Sequence, residues 1–245
     1  MKNLQETYIE EFEVHSYEND FRQRLRLATL FQFFQEVAGR HVAGTPIGYE
    51  ALKEIGCFWV LVRIKVRIHR MPNWRERITL KTWAKKIDKM FAYRECEVTN
   101  ETGLLASISS EWMLMDQKKR KPVRLSVLPT QFPIHDGGST HDDLNKIKPF
   151  GSPVIQETRS ARYSDMDMHS HVNNTKYIEW ILDLIPYEAM KAKEIDGLQV
   201  SFASEVNFGD EIHIMGAVEG EDRYYFEGYN RTKDIKAFQL EIKMR

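Results

Sequence analysis

The 245-residue chain is expected to fold as α+β, with two antiparallel sheets each wrapped around one central helix. Three observations predict this. Two helix-period segments stand among many strand-like ones, and the order strand, helix, four strands occurs twice. One helix to about five strands is also too few to cover a parallel sheet on both faces, which excludes a doubly wound architecture.

In the first half Leu27, Leu30, Phe31, Phe34, Val37, Ala38 and His41 fall at helical spacing, opposite Gln32, Gln35, Glu36 and Arg40. That is a helix with one buried face. Thr29 with Gln32 three residues on reads as a capping box, and Gly44 and Pro46 lie where the chain should leave the helix. Val60, Val62, Ile64, Val66 and Ile68 alternate with Leu61, Arg63, Lys65 and Arg67, the period of a half-buried strand. Strands follow at 78–83, 91–98 and 105–115, the last two joined by a hairpin turn at Thr99-Asn100-Glu101-Thr102-Gly103.

From Ser126 to Pro153 no period is sustained, and Asp136-Gly137-Gly138-Ser139 marks a connector. The order then repeats: an extended segment at 157–163, a helix from about Asn174 to Ile185 ended by Pro186, and strands at 198–208, 211–217, 224–231 and 237–244. Ile178, Ile181, Leu182 and Ile185 form the buried stripe of that helix, with Lys176, Glu179 and Asp183 outside. The expected domains are therefore 1–130, a linker at 131–155, and 156–245. Two tandem copies of a sheet curled around its own helix make the arrangement called a double hotdog.

Composition narrows the functions. Lys plus Arg (35) nearly cancels Asp plus Glu (36), so no overall field favours nucleic acid or an anionic membrane. Cys57 and Cys96 stand far apart with no zinc spacing, and read as two buried thiols of a reducing compartment. The start of the chain, Met1-Lys2-Asn3-Leu4-Gln5-Glu6, has neither a signal core nor a transit-peptide composition, and no apolar run reaches a membrane span. The expectation is a cytoplasmic protein without metal, cofactor or membrane insertion. The Asn-x-Thr matches at Asn100, Asn173 and Asn230 are then chance.

The chemistry concentrates in Ser164-Asp165-Met166-Asp167-Met168-His169-Ser170-His171-Val172-Asn173-Asn174-Thr175-Lys176-Tyr177, immediately before the second helix. Acids, imidazoles and amides there sit beside a helix start, where backbone N–H groups lack partners and attract negative charge. Asp167, His169 and His171 are the candidate catalytic groups, although Asp167 would serve equally as a helix-entry cap. Asn173 and Asn174 are candidate substrate contacts whose plainer use is to satisfy backbone at the helix start. The helix entrance of the first half, Leu25-Arg26-Leu27-Ala28-Thr29, has no acid or imidazole to activate water.

With the string from Asp167 to Leu182 and the doubled element order in hand, the chain resembles the plant and bacterial fatty acyl-acyl-carrier-protein thioesterases. The likeness runs end to end: Phe12 to Tyr17, Leu30 to Val42 and Ser109 to Met115 look like the first hotdog, and Asp-x-x-x-His-Val-Asn-Asn is the more specific signature of the second. The resemblance implies that an Asp-x-Asn-x-His pattern at the helix entrance works with a Glu on the next strand. Those positions are Asp167, His171 and Glu205, with His169 standing where relatives usually have Asn. Val206 stands where some members carry a Cys, so no thiol is near for nucleophilic catalysis.

The implied activity is hydrolysis of fatty acyl-acyl-carrier-protein thioesters, releasing free fatty acid in fatty acid biosynthesis. Water primed by Asp167 or Glu205 would attack the thioester while N–H groups near Val172 to Asn174 polarise its carbonyl. His171 would orient the carboxylate or the water, and His169 would take the role of the amide. On the expected strand bearing Glu205, small Ser201 and Ala203 leave room for ligand. The first half would form the acyl tunnel with Phe31, Phe34 and Trp59. An acidic carrier protein would be steered by Lys118-Lys119-Arg120-Lys121 with Arg124, or by Lys85-Lys86 with Lys89. A homodimer is compatible with this reading. An acyl-CoA thioesterase, a non-catalytic acyl-binding hotdog and a hotdog dehydratase are the alternatives.

Overall fold

A computed structural model describes residues 5–129, 133–137 and 144–245. The chain divides into two compact units, Met1–Leu144 and Asn145–Arg245. Gly138 and Ser139 of the expected connector lie outside the described residues.

In the first unit β1 (Thr7–Glu13) leads through a 3-10 turn into α1 (Leu27–Val42) and the short α2 (Tyr49–Glu54). Then come β2 (Cys57–Ile68), β3 (Arg77–Ile87), β4 (Phe91–Asn100), β5 (Gly103–Asp116) and the two-residue β6 (Pro122–Val123). The strands lie in the order β1-β3-β4-β5-β2, all antiparallel, with β6 also on β5. Leu30, Phe31, Phe34 and Val37 of α1 are fully buried, and Phe33 stacks on Phe12 of β1 at 4.4 Å between ring centres.

The expected helix face is correct, but the capping box at Thr29 is not formed. The helix starts three residues earlier than that cap would place it, because Leu27 and Ala28 belong to the buried face, and its N-cap is Arg26, without a side-chain cap bond. In β2 a bulge between Leu61 and Arg63 shifts the register, so Leu61, not Val62, is the buried neighbour of Ile64. The hairpin turn is as expected: Asn100 Oδ1 accepts from the N–H of Thr102 at 2.8 Å and of Gly103 at 3.1 Å. Gly103 there takes φ 127°, which only glycine adopts without strain.

The second unit repeats the plan. β7 (Val154–Ser160) leads through a 3-10 turn, Tyr163–Asp165, into α3 (Asn174–Leu182) and the short α4 (Tyr187–Ala192). β8 (Ile195–Phe202), β9 (Glu211–Glu219), β10 (Arg223–Asn230) and β11 (Ile235–Met244) follow. The order β7-β9-β10-β11-β8 is that of the first unit, strand for strand. Tyr177 anchors α3, its ring 4.7 Å from Phe238 and 5.9 Å from Phe202. Gly228 makes room for the Phe238 ring, since a Cβ there would lie 2.1 Å from it. The α+β double hotdog is thus the architecture.

Two expectations fail in this unit. The helix expected to reach Ile185 ends at Leu182, and Pro186 serves as N-cap of α4, which the sequence pattern did not suggest. The strand expected to reach Phe208 ends at Phe202, because Ala203 and Ser204 both donate their N–H to the same carbonyl, Ala237 O, at 2.8 and 3.2 Å. Two successive donors on one acceptor cannot continue a ladder. Glu205 therefore sits on a loop rather than on the expected strand, and Phe208 beyond it is exposed.

Candidate active site

The acid- and imidazole-rich string folds as a hairpin-like turn ahead of α3. The Asp167 N–H donates to His171 O at 2.8 Å and the Ser170 N–H to Asp167 O at 3.1 Å, with Ser170 in the left-handed region at φ 64°. Asp167 Oδ1 accepts the backbone N–H groups of His169 at 2.8 Å and His171 at 3.2 Å. One short side chain thus closes the turn from inside.

The loop after β8 runs alongside. The Val172 N–H donates to Val206 O at 2.9 Å, and His171 bridges Asn207. The Asn207 N–H donates to Asp210 Oδ2 at 2.8 Å, Lys233 Nζ reaches that carboxylate at 3.0 Å, and Lys233 also donates to Glu205 O at 3.3 Å. Burial raises the Asp210 pKa, but the hydrogen bonds from Asn207, Lys233 and Asn230 outweigh it and hold the carboxyl below its ordinary range. The loop is thereby pinned at both ends.

This pairing of turn and loop puts His171 Nε2 3.3 Å from Glu205 Oε2, both side chains partly solvent-accessible. Of the four residues expected to be catalytic, His171 and Glu205 meet directly. Asp167 stands behind them through the backbone, and His169 is exposed at the turn with its N–H on Asp167. Tyr177 lies beneath: burial first, then the charges of Asp167, Asp210 and Asp165, push its phenol well above the ordinary range.

The expected substrate contacts have a different local use. Asn173 is the N-cap of α3, its Oδ1 accepting from the Thr175 N–H at 2.9 Å and the Thr175 hydroxyl at 2.8 Å. That oxygen is committed to the helix. Asn174 is the first helical residue, half-buried. The backbone donors expected to polarise a carbonyl are also partly spent: Val172 N–H on Val206 O, and Asn173 N–H on Asp165 O at 2.8 Å.

Asp165 and Asp210 were not singled out from sequence. Asp165 is buried, accepting from the Arg162 N–H at 2.7 Å and from Trp180 Nε1 at 3.3 Å, which ties the turn to α3. Each has an acidic partner in the first unit, Glu18 and Glu76, with matching backbone bonds. A search for acids recurring at one offset, as 18 to 165 and 20 to 167, would have found the first.

Cys57 and Cys96 are both buried, and burial pushes both thiols up, away from thiolate character. Among the described residues no His, Cys, Asp and Glu cluster is arranged to hold a metal ion, and no helix is long and apolar enough to cross a membrane. The three Asn-x-Thr asparagines are used by the fold: Asn100 in the hairpin turn, Asn173 in the cap, and Asn230 on Asp210 at 2.8 Å.

Residues 5–127 match the acyl-ACP thioesterase N-terminal domain and residues 153–244 the acyl-ACP thioesterase C-terminal domain. The chain is 27% identical over 226 residues to the acyl-[acyl-carrier-protein] hydrolase FATB2, chloroplastic, of Cuphea viscosissima, covering 85% of this chain and 54% of that protein. It is 24% identical over 233 residues to the oleoyl-acyl carrier protein thioesterase, chloroplastic, of Coriandrum sativum, covering 87% of this chain and 63% of that protein. The chain thus spans between about half and just under two thirds of these curated relatives. An acyl-ACP thioesterase from Bacteroides thetaiotaomicron superposes with a TM-score of 0.90 at 26% identity over 98% of each chain. The 12:0-ACP thioesterase from Umbellularia californica shares the fold, with a TM-score of 0.81 at 16% identity over 100% of this chain and 99% of that one.

Proposed function

We propose, because this chain belongs to the acyl-ACP thioesterase family, that it hydrolyses the thioester of fatty acyl-acyl carrier protein and releases free fatty acid. The observation that carries the reading is the approach of His171 Nε2 to Glu205 Oε2 at 3.3 Å beside the start of α3. A carboxylate and an imidazole in hydrogen-bond reach can orient a water, take its proton as it attacks, and return a proton to the departing thiol; such a step contributes about 10²- to 10⁴-fold.

The carbonyl must also be polarised as charge grows on its oxygen. With the N–H groups of Val172 and Asn173 engaged, the donor this reading assigns is that of Asn174, the first of the helix. His169, exposed on the turn, is assigned to hold water or substrate. The acyl chain is assigned to the first unit, beside the partly buried Trp59 and over a core in which Phe31 and Phe34 are fully buried. The carrier protein is assigned to the turn after β5, where Lys118, Lys119, Arg120 and Lys121 are exposed. Lys85 is less suited, being tied to Glu95 at 2.9 Å.

Thiol release from saturated acyl chains of several lengths, each offered on carrier protein and on coenzyme A, tests the reading. Turnover that requires His171 and Glu205 and favours the carrier-bound thioester is expected. Binding of acyl groups without thiol release would sink it. Reversing the charges of Lys118 to Lys121 should raise KM for the carrier-bound substrate alone, and an unchanged KM would remove the docking assignment.

A further inference from the structure

Asp167 has a twin in the first unit, on a turn, Asp20 to Arg24, that carries no imidazole. Asp20 Oδ1 accepts the N–H groups of Arg22 at 2.8 Å and Arg24 at 3.1 Å, as Asp167 Oδ1 accepts those of His169 and His171 at 2.8 and 3.2 Å. The Asp20 N–H donates to Arg24 O at 2.8 Å, the same length as from Asp167 to His171 O. Gln23 returns its N–H to Asp20 O at 3.1 Å with φ 59°, as Ser170 does to Asp167 O at 3.1 Å with φ 64°. Each turn then closes on the following loop alike: Leu25 N–H to Pro72 O at 2.8 Å and Val172 N–H to Val206 O at 2.9 Å, with bridges Arg24 to Asn73 and His171 to Asn207.

The side chains that the two frames display at three matching positions differ. Where the second unit has His169, His171 and Glu205, the first has Arg22, Arg24 and, two residues before Asn73, Met71. The aspartate holds the same bonds whether the turn it closes displays imidazoles or guanidinium groups, so its geometry belongs to the turn and not to the chemistry. We infer that Asp167 is a positioning residue, whose Oδ1 fixes the backbone of His171 so that the imidazole meets Glu205, and that the His171–Glu205 pair alone moves the proton of the attacking water. The inference rests on the hydrolase reading above. An amide at position 167 keeps the Oδ1 acceptor but cannot act as a base, so it separates the two roles.

The test uses the full chain with Asp167→Ala, Asp167→Asn, Glu205→Gln, Asp20→Ala and Asp20→Asn, followed by thiol release from acyl-carrier protein across pH and by amide hydrogen exchange. Asp167→Ala should lower kcat about 100-fold with KM within about threefold, and Asp167→Asn should restore all but about fivefold while keeping both limbs of the wild-type pH profile. Glu205→Gln should remain about 100-fold down or more. The His171 amide should exchange at least about tenfold faster in Asp167→Ala than in Asp167→Asn, and the Arg24 amide likewise in Asp20→Ala against Asp20→Asn. An Asp167→Asn variant as inactive as Asp167→Ala, or one that loses a limb of the profile, overturns the inference, as does a His171 amide indifferent to Asp167→Ala. If the wild type releases no thiol, the hydrolase reading fails on its own and the exchange comparison still decides whether Asp167 positions His171.

Discussion

The turn around Asp20 and the turn around Asp167 are one backbone device with two sets of side chains. Each is closed by an aspartate inside, by a left-handed residue, and by an N–H given to the neighbouring loop. The first presents Arg22 and Arg24 opposite Met71; the second presents His169 and His171 opposite Glu205. A scaffold held by main-chain bonds is indifferent to what it displays, so a few side-chain choices suffice to put an imidazole beside a carboxylate on one turn and two guanidinium groups on the other. The copies also differ in anchorage. Asp165 is buried and tied to Trp180 of α3, whereas the Glu18 carboxylate bonds back to His15, at 2.7 Å from the N–H and 3.2 Å from Nδ1.

The largest effect should come from stripping each frame of what it presents. His171→Ala or Glu205→Gln should lower kcat by about 100-fold or more, equivalent to about 3 kcal/mol of transition-state stabilisation, with the thermal midpoint little changed. Arg24→Ala or Met71→Gln in the other copy should leave kcat within about threefold. Steady-state kinetics on carrier-bound substrate reads both. Comparable losses in the two copies would mean that the first turn also takes part in turnover.

Much of the paired design was legible beforehand. The period of two marked nearly every strand, and the period of 3.6 found the buried faces of α1 and α3, because burial on one side is what those periods report. The parts that were not legible have local causes. Val62 keeps the alternation of Val60 and Ile64, two residues to either side, so the period of two gives no sign that it is the bulged residue. Pro186 ends one helical pattern and caps another, and the sequence alone shows only the ending. The exit of β8 at Phe202 depends on Ala237, a carbonyl far along the chain, which no window over 198–208 contains. Within the site, the family string points to His171 and Glu205, whereas Asp20 lies upstream of the first helix entrance on a turn with no imidazole to mark it.

A second contrast concerns pH. In the first unit His41, on the buried face of α1, has its Nε2 bonded to Gln5 O at 2.8 Å and its Nδ1 accepting from Arg94 Nη1 at 2.9 Å. A carbonyl only accepts, so the proton is on Nε2 and the ring is neutral. Burial first, then the Arg94 charge, lower its pKa from 6.5 to about 4 against the opposing Gln5 bond. The unfolded chain therefore binds the proton first as pH falls. Stability should be complete above about pH 6.5 and decline toward pH 4, by on the order of 2–3 kcal/mol. Denaturant unfolding of wild type and His41→Gln between pH 7 and 4.5 checks this. An equally steep decline in the variant would assign the loss to other groups.

The anchoring acids should rank in the order of their burial. Asp165→Ala leaves the Arg162 N–H and the Trp180 indole N–H without their acceptor, and should cost about 1–3 kcal/mol. Glu18→Ala removes bonds that water can replace, and should cost about 1 kcal/mol or less. Urea midpoints at fixed pH compare the two. Equal costs would show that the carboxylate matters to the frame irrespective of the tryptophan.

The smallest effect tests whether the copies can exchange parts. Asn173 caps α3 with a side-chain acceptor for Thr175, while Arg26, at the same place in the first frame with φ −63° and ψ 140°, caps α1 with none. Asn173 itself takes φ −60° and ψ 136°, so an asparagine fits the Arg26 backbone unchanged. Asn173→Ala should cost about 1 kcal/mol, and Arg26→Asn should add about 0.5 kcal/mol by supplying the missing acceptor to an N–H of the first turn of α1. Chemical denaturation of the two variants measures both changes. A destabilised Arg26→Asn would show that the arginine side chain contributes contacts to the first copy that outweigh a cap, and that the frames are equivalent in backbone only.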